Sequence, residues 1–248
     1  MDTQFNTQGY RSGHLLALVA AVLLGIGAVV KFFFVILHGF QIGGVLGGPN
    51  AVASGTESVS LAAALNAILL LLNFLVYVAT IVAFLMWLHR VVSNLRSLGA
   101  QRTEYSPGLA VGSFFIPFAN LVWPYKAMRE VWRWSKPLGE SEEIVGLSFT
   151  ADTSAPLVGW WWGLWLASNF ISNAYWRVSD QVDMAGAIPW LGLFADLSSI
   201  AAAALAIMVV LSIDRMQTER SKQLALRGAE FEQPPPPPTF GAQTANFS

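Results

Sequence analysis

Four long apolar runs, separated by more polar segments, dominate the pattern of this chain. They lie at His14–His38, Leu61–Leu88, Leu157–Trp176 and Ile188–Ile213. Each run reaches the roughly 20 residues that a helix needs to cross a hydrocarbon core of about 30 Å. The first run is longer than the apolar region of a signal peptide, which has about 7–15 residues, so we expect it to remain as a spanning helix. The pattern predicts an all-α integral membrane protein with four transmembrane helices.

The second run continues beyond its apolar part as an amphipathic extension. Apolar residues between Leu88 and Leu98 fall mainly on one side of this extension, and polar residues fall on the other. The expected helices therefore cover about 14–38, 61–98, 157–176 and 188–213, and Gly99 suits a C-terminal cap of the second helix. A helix over 61–98 is about 57 Å long, so its end projects from the membrane.

Between the second and third apolar runs lies a proline-broken apolar segment, Ser106–Tyr125. Pro107 begins it, Pro117 lies at its middle and Pro124 ends it. A proline costs a helix interior about 3 kcal/mol, and each arm would be only about 12 Å long if helical. We predict a re-entrant hairpin over 108–124 that enters and leaves on the same side, with the spanning helices around it. A fifth spanning helix, kinked at Pro117, is the alternative.

Shorter segments accompany the membrane domain of residues 14–213. Residues 125–136 predict an interfacial amphipathic helix, because apolar and basic side chains fall on different sides of it. Residues 1–13 are polar and predict a disordered tail. Residues 214–248 form a second tail that begins as a basic helical extension and contains five consecutive prolines, Pro234–Pro238. Such a run adopts the polyproline II conformation, either as a spacer or as a ligand for an aromatic groove.

Charge indicates the orientation and excludes some partners. Charged residues make up 12% of the chain, against 54% hydrophobic residues, and the net charge of −1 gives no reason to expect nucleic-acid binding. The chain contains no cysteine, which excludes disulfides and thiolate metal sites, and we expect no cofactor. Lys and Arg occur in loops 89–107 and 125–156 and in the tail after residue 213, but not in 39–60. The positive-inside rule therefore predicts that both termini are cytoplasmic.

Two charged residues fall inside the predicted spans. Lys31 and Asp196 lie about 9 and 12 Å from the outer ends of the first and last helices, so we expect them to form an intramembrane charge pair. A charge left alone at a helix centre costs about 2.5–3.5 kcal/mol. One interpretation is an ion or proton site. The other is a structural ion pair, or a Lys31 side chain that snorkels outward.

A polar group is predicted where the second helix meets the hairpin. Arg90 and Asn94 share one face of that helix, and Asn120 lies on the returning arm of the hairpin. In one interpretation Asn120 satisfies backbone groups freed by Pro117 and Pro124, and Arg90 binds carbonyl oxygens of the hairpin. In the other, the three side chains form a cytoplasm-facing site for an anionic solute or a lipid headgroup.

Three segments together resemble a known family: FLMWLHRVVSNLRSLGA, SPGLAVGSFFIPFANLVWPYKAMREVWRWS and GWWWGLW. They are similar to bacterial multi-pass membrane proteins grouped as a domain of unknown function (DUF 4328), over roughly Leu61 to Ile213. The shared positions are Trp87, Arg90, Asn94, Leu98-Gly99, Pro107, Ile116-Pro117, Asn120-Leu121, Pro124, Met128-Arg129-Glu130, Trp132, Gly159 and Trp160-Trp161. The resemblance implies a protein of the bacterial inner membrane with this core. It implies no activity, cofactor or catalytic residue.

The sequence contains none of the enzyme motifs that suit a membrane protein of this kind. HExxH, a Ser–His pair at membrane depth and a Gly-rich phosphate loop after a strand are all absent. We expect a non-catalytic protein in the lipid bilayer that acts through assembly, as a homo-oligomer or with a protein partner, at its cytoplasmic side. The alternative is a component of a small-solute or ion pathway that uses the re-entrant hairpin, because broken backbone at the midplane forms binding sites in transporters.

Overall fold

A computed structural model describes residues 9–43, 56–139, 155–178 and 186–232 of the chain. Its helices are α1 (His14–Ile42), α2 (Thr56–Asn94), α3 (Pro107–Gly112), α4 (Trp123–Ser135), α5 (Pro156–Val178) and α6 (Ile188–Glu232), with a 3₁₀ turn at Ala119–Leu121. Within the described ranges the chain is all-helical and has no strand, as the apolar pattern predicts. The prolines at 234–238 and most of the predicted tail 1–13 lie outside the described residues.

Among the described residues, three helices are long and apolar enough to cross a membrane: α1, the part of α2 from Ala67 to Asn94, and α6. They indicate a membrane protein, in agreement with the sequence. The sequence also predicts a span at 157–176, which corresponds to α5. Tryptophans and asparagines lower the mean hydropathy of α5, and this helix is not among the three.

α6 is the central helix of the bundle, because both α1 and α5 pack along it, and α2 packs against α1. α1 and α6 run antiparallel: His14 contacts Asp214, and Lys31 contacts Asp196. We call the end with His14 and Asp214 the proximal end and the end with Lys31 and Asp196 the distal end. Small side chains allow the two helices to approach closely. The buried alanines between them are Ala17, Ala20, Ala202 and Ala206.

The hydrophobic core is concentrated at the proximal end. Helices α2, α4, α5 and α6 all contribute fully buried side chains there. These are Trp87, Leu88, Val91, Met128, Val131, Val158 and Ile213, and Leu95 just after α2 joins them. Most side chains between Ala67 and Val82 of α2 are instead exposed, which suits a helix surface that faces lipid. The chain is therefore most tightly packed where its long helices leave their apolar segments.

At the proximal end, α2 and α6 end at positions that differ from the predicted ones. α2 ends at Asn94 and is followed by turns up to Gly99, whose φ of +92° is the left-handed conformation of a capping glycine. α6 continues past residue 213 to Glu232. Gln217 in this continuation is buried against the core, so the first turns after residue 213 belong to the packed protein and not to a separate tail.

α4 has the amphipathic pattern that the sequence predicts for an interfacial helix, but its apolar side faces the protein. Met128 and Val131 are fully buried in the proximal core, whereas Lys126 and Arg133 are exposed. The predicted amphipathic helix is therefore present, whereas its position at a membrane interface stays a prediction. α4 presents a basic face at the protein surface.

Candidate functional site

Asn94 is buried at the proximal end, where its side chain joins separate segments of the chain. Its amide nitrogen donates to the carbonyl oxygen of Arg11 at 2.9 Å and to Oε1 of Gln217 at 3.2 Å. Its Oδ1 accepts the backbone N–H of Arg11 at 3.2 Å. Gln217 in turn donates to the carbonyl oxygen of Val91 at 3.0 Å and to the hydroxyl of Ser135 at 3.1 Å. Two buried amides thus connect α2, α4, α6 and the segment before α1.

Arg220 extends this group from the next turn of α6. Its Nε donates to the carbonyl oxygen of Leu98 at 2.8 Å, and its Nη1 donates to that of Lys136 at 2.7 Å. The guanidinium therefore binds carbonyls just after α2 and α4, where helix ends leave such groups unsatisfied. We call the group of Asn94, Ser135, Gln217 and Arg220 the proximal network.

Glu130 is another buried polar group, on the side of α4 that faces the segment before α3. Its carboxylate oxygens accept the backbone N–H groups of Glu104 at 2.7 Å and Tyr105 at 3.2 Å. Burial, and to a smaller extent the charges of Glu104 and Glu130, raises the pKa of the Tyr105 phenol. The carboxylate of Glu130 thus holds the start of the proline-broken segment against α4.

Arg90 lies beside the proximal network but is not part of it. It is half-buried and borders an apolar groove of about 440 Å³ between α1, α2 and α3. The remaining lining residues are Leu16, Val82, Leu85, Met86, His89 and Val111. The structure therefore separates the predicted neighbours on α2: Asn94 is bonded inside the protein, and Arg90 borders a groove at its surface.

Asn120 lies in the 3₁₀ turn and is half-buried. Its backbone N–H donates to the carbonyl oxygen of Ile116 at 3.0 Å. The side chain of Asn94, its predicted neighbour, is occupied by Arg11 and Gln217. A common site of Asn120 with Arg90 and Asn94 therefore stays a prediction.

The three prolines lie where the backbone begins a helix or reverses. Pro107 is the first residue of α3 and Pro124 the second residue of α4, positions at which a missing N–H removes no helical hydrogen bond. The carbonyl oxygen of Pro117 accepts the N–H of Ala119 at 2.8 Å. This γ-turn gives Phe118 a φ of 63° and a ψ of −39°, which is a strained conformation for a bulky residue.

The tip of the proline-broken segment is exposed and lies near the proximal end. Phe118 is 86% exposed and Phe115 68% exposed. Phe114 packs against Phe84 of α2 and Trp162 of α5, with ring centroids 6.0 and 6.1 Å apart. Phe84 lies only about 6 Å of helix from the end of the apolar run at residue 88. The helices therefore do not enclose the tip as predicted, and the depth that this segment reaches in a membrane stays a prediction.

Lys31 and Asp196 lie in contact at the distal end, with Nζ 3.0 Å from Oδ1. His38 joins them, since its Nε2 is 3.5 Å from the other carboxylate oxygen. The Asp196 side chain is 8% exposed, against 33% for Lys31. The imidazole also contacts the ring of Tyr175 edge to face, at 5.9 Å between centroids. We call Lys31, His38 and Asp196 the distal cluster; it connects α1 with α6 and borders α5.

The two polar groups have different chemical capacities. The amides of the proximal network saturate one another and nearby carbonyls, so they stabilise the packing of several segments. The carboxylate of Asp196 instead contacts an ammonium and an imidazole, so the distal cluster contains an ion pair with a histidine beside it. Within the described ranges, no three His, Cys, Asp or Glu side chains are grouped so as to hold a metal ion.

The sequence reasoning missed His38, Gln217 and Arg220 as site residues. His38 follows Lys31 by two helical turns and therefore lies on the same face of α1. Gln217 and Arg220 follow Asp214 at intervals of three residues, which places them along one side of α6. Helical spacing was therefore the sequence signal for these three residues. Spacing along one helix does not, however, identify the partner residue on another helix.

A family model described as a domain of unknown function (DUF4328) matches residues 50–215. No curated protein and no solved structure matches the chain. The family match includes α2, Arg90, Asn94, the proline-broken segment and Asp196, and it stops before Gln217 and Arg220. Because it covers well over half of the chain, this protein belongs to the family of the domain of unknown function DUF4328.

Proposed function

We propose that the protein is a multi-pass scaffold of the bacterial inner membrane, which catalyses no reaction and holds a protein partner at its cytoplasmic side. The proximal network carries this proposal. Asn94 and Gln217 are only 1% and 2% exposed, and their amides fasten four segments of the chain together. Buried, satisfied amide networks make a structure rigid and specific. A rigid surface just outside the membrane is what a docking platform requires.

We include α5 as the fourth spanning helix. It has 23 residues, or about 35 Å, which suffices for a hydrocarbon core of about 30 Å. Trp160 and Trp176, near its two ends, are 70% and 66% exposed. Exposed tryptophans at both ends are typical of helices whose termini lie at the two membrane–water interfaces. Four crossings leave both chain termini on the same side.

The proximal end faces the cytoplasm in this proposal. Exposed basic side chains collect there, as the positive-inside rule requires of a cytoplasmic surface. They are Arg96, Lys126, Arg133, Arg215, Lys222 and Arg227. The proline-broken segment then enters the inner leaflet from the cytoplasm and leaves on the same side, as a shallow re-entrant loop with Phe115 and Phe118 in lipid.

The surface we assign to the partner is the last part of α6. This part lies beyond the contacts of Gln217 and Arg220 with the core. Leu226 is 72% exposed there, next to the exposed Arg227. Leu226 is about 20 Å of helix from residue 213, so lipid does not cover it. An apolar side chain beside basic ones on a helix suits a protein groove with acidic margins.

Site-specific crosslinking in native membranes tests the proposal. The natural chain has no cysteine, so Leu226→Cys carries the sole thiol for a photoactivated crosslinker. We expect one crosslinked species of defined mass from Leu226→Cys and none from Arg96→Cys, a matched exposed site at the same end. Equal crosslinking at the two sites, or none at Leu226→Cys, would contradict a docking surface at the end of α6.

The distal cluster favours a second function, an ion or small-solute pathway. Ionisable residues at membrane depth often mark ion or proton routes, and Asp196 is such a residue. On this hypothesis the wild type carries a proton- or cation-coupled flux in proteoliposomes, and Asp196→Asn abolishes it without loss of expression. If the wild type carries no flux under any gradient, the pathway hypothesis is contradicted and the scaffold proposal stands.

A further inference from the structure

The groove between α1, α2 and α3 has apolar walls along most of its length. Leu16, Val82, Leu85, Met86 and Val111 form these walls. Val82 and Met86 are 51% and 55% exposed, so the groove opens to the outside of the bundle. No segment among the described residues covers it.

The position of the groove along α2 places it in one leaflet of the membrane. Val82 lies about 12 Å of helix from Arg90, inside the apolar run that ends near residue 88. Arg90 and His89 lie at the proximal end of that run. The groove therefore extends from the membrane–water interface into the hydrocarbon of the adjacent leaflet, the path that the upper part of a lipid chain follows.

The charge at the interfacial end of the groove is positive. Among the residues that the structure describes, the guanidinium of Arg90 has no hydrogen bond and no ion pair. The nearby carboxylate of Asp214 contacts His14 instead, at 2.7 Å. His89 is exposed beside Arg90. An unpaired guanidinium offers a planar pair of donors, which matches the geometry of a phosphate group.

We propose that this groove binds an anionic glycerophospholipid. Its phosphate lies on Arg90 and His89, and an acyl chain lies along Val82, Met86 and Val111. This groove combines apolar walls in the hydrocarbon region with a positive charge at the interface. The basic face of α4 has only the positive charge. The lipid would fill the space between α1, α2 and the proline-broken segment and hold that segment against the bundle. This site is independent of the partner surface at the end of α6.

Lipid retention by purified protein tests the proposal. The full chain is purified in mild detergent, incubated with vesicles that contain equal amounts of phosphatidylglycerol and phosphatidylcholine, and re-isolated. Bound lipid is counted by native mass spectrometry. We expect about one phosphatidylglycerol per chain and little phosphatidylcholine. Arg90→Gln should reduce retained phosphatidylglycerol about fivefold, and Met86→Trp should reduce it by filling the groove.

Two controls keep the result interpretable. Arg133→Gln removes an exposed basic residue of α4 and should leave retention unchanged. The melting temperature of each variant in phosphatidylcholine confirms that it is folded. A variant that is not folded is replaced by Leu85→Trp for the wall and Arg90→Met for the charge. Equal retention of the two lipids, an equal loss in Arg133→Gln, or full displacement by inorganic phosphate would overturn the proposal.

Discussion

The α-carbon of Gly192 lies against the imidazole of His38, so that a side-chain carbon at position 192 would overlap the ring. Gly192 is one helical turn from Asp196, the carboxylate that His38 contacts at 3.5 Å. The absence of a side chain on α6 is thus what allows His38 of α1 to reach the distal cluster.

Gly192→Ala should therefore displace His38 from Asp196. Overpacking of this kind costs about 1–3 kcal/mol, so we expect the melting temperature in detergent to fall by several degrees. The double variant with His38→Ala provides the control, because removing the ring also removes the overlap. It should melt like His38→Ala alone. If the two substitutions add instead, the contact between positions 192 and 38 is not the cause.

Gln217→Leu should be among the most destabilising single changes at the proximal end. It leaves the buried carbonyl of Val91 without its side-chain donor, at a cost of about 1–3 kcal/mol, and it removes one hydrogen bond each from the Ser135 hydroxyl and the Asn94 amide. Gln101→Leu, at an exposed position after α2, is the matched control and should change the melting temperature little. Equal melting of Gln217→Leu and wild type would contradict a structural role of the network.

Arg220→Lys should fail to replace arginine. A lysine ammonium is a compact charge at the end of a flexible side chain. The planar guanidinium of Arg220 instead donates to the carbonyls of Leu98 and Lys136 at the same time. Loosening of the turn after α2 should speed the cleavage by trypsin after Arg102, an exposed residue, which limited proteolysis measures at that bond. Arg227→Lys, at an exposed position, should leave the cleavage rate as in wild type. A cleavage rate that Arg220→Lys leaves unchanged would contradict the role of Arg220 in holding the turn after α2.

Phe118→Gly should raise the melting temperature in detergent. Glycine adopts a positive φ without the steric cost that Phe118 has at φ 63°, and relief of such strain is worth about 1 kcal/mol or more. Little packing is lost, because the side chain is 86% exposed. Phe115→Gly is the comparison: its φ is not positive, so glycine there should lower the melting temperature. A loss of stability in Phe118→Gly would mean that its ring packs on the protein.

The sequence predicted the helices well, because long apolar runs have few alternatives to a helix in lipid. It also predicted that Lys31 and Asp196 would meet. A buried charge needs an opposite charge, and counting residues from the helix ends gave both a similar depth. His38 was missed, since a histidine at the end of an apolar run is equally consistent with an interfacial position.

The proline-broken segment was harder to predict, because its depth depends on tertiary packing. Its length alone allows two helical arms that reach the midplane. In the structure α3 ends at Gly112, and the contact of Phe114 with Phe84 and Trp162 holds the segment near the proximal end. No local pattern encodes which aromatic side chains on other helices will receive Phe114.

The hydrogen-bond partners of Asn94 could not be predicted from the sequence either. Gln217 is 123 positions away in the chain, and Arg11 contributes only backbone groups, which have no sequence signature. Asn94 and Arg90 are one helical turn apart on α2. However, helical spacing does not say which residue of one face is covered by a neighbouring helix and which is left at the surface.

No glycine or proline stands between Gly192 and Gly228 of α6. This stretch of helix contains Asp196 at the distal cluster and Arg220 at the proximal network, about 36 Å apart along its axis. Sharp kinks in helices arise mostly at proline, glycine or local bulges, so α6 behaves as a stiff rod over this distance. A piston-like shift or a rotation imposed at Asp196 therefore has to appear at Arg220. The distal cluster and the proximal network are thus mechanically coupled through one continuous helix.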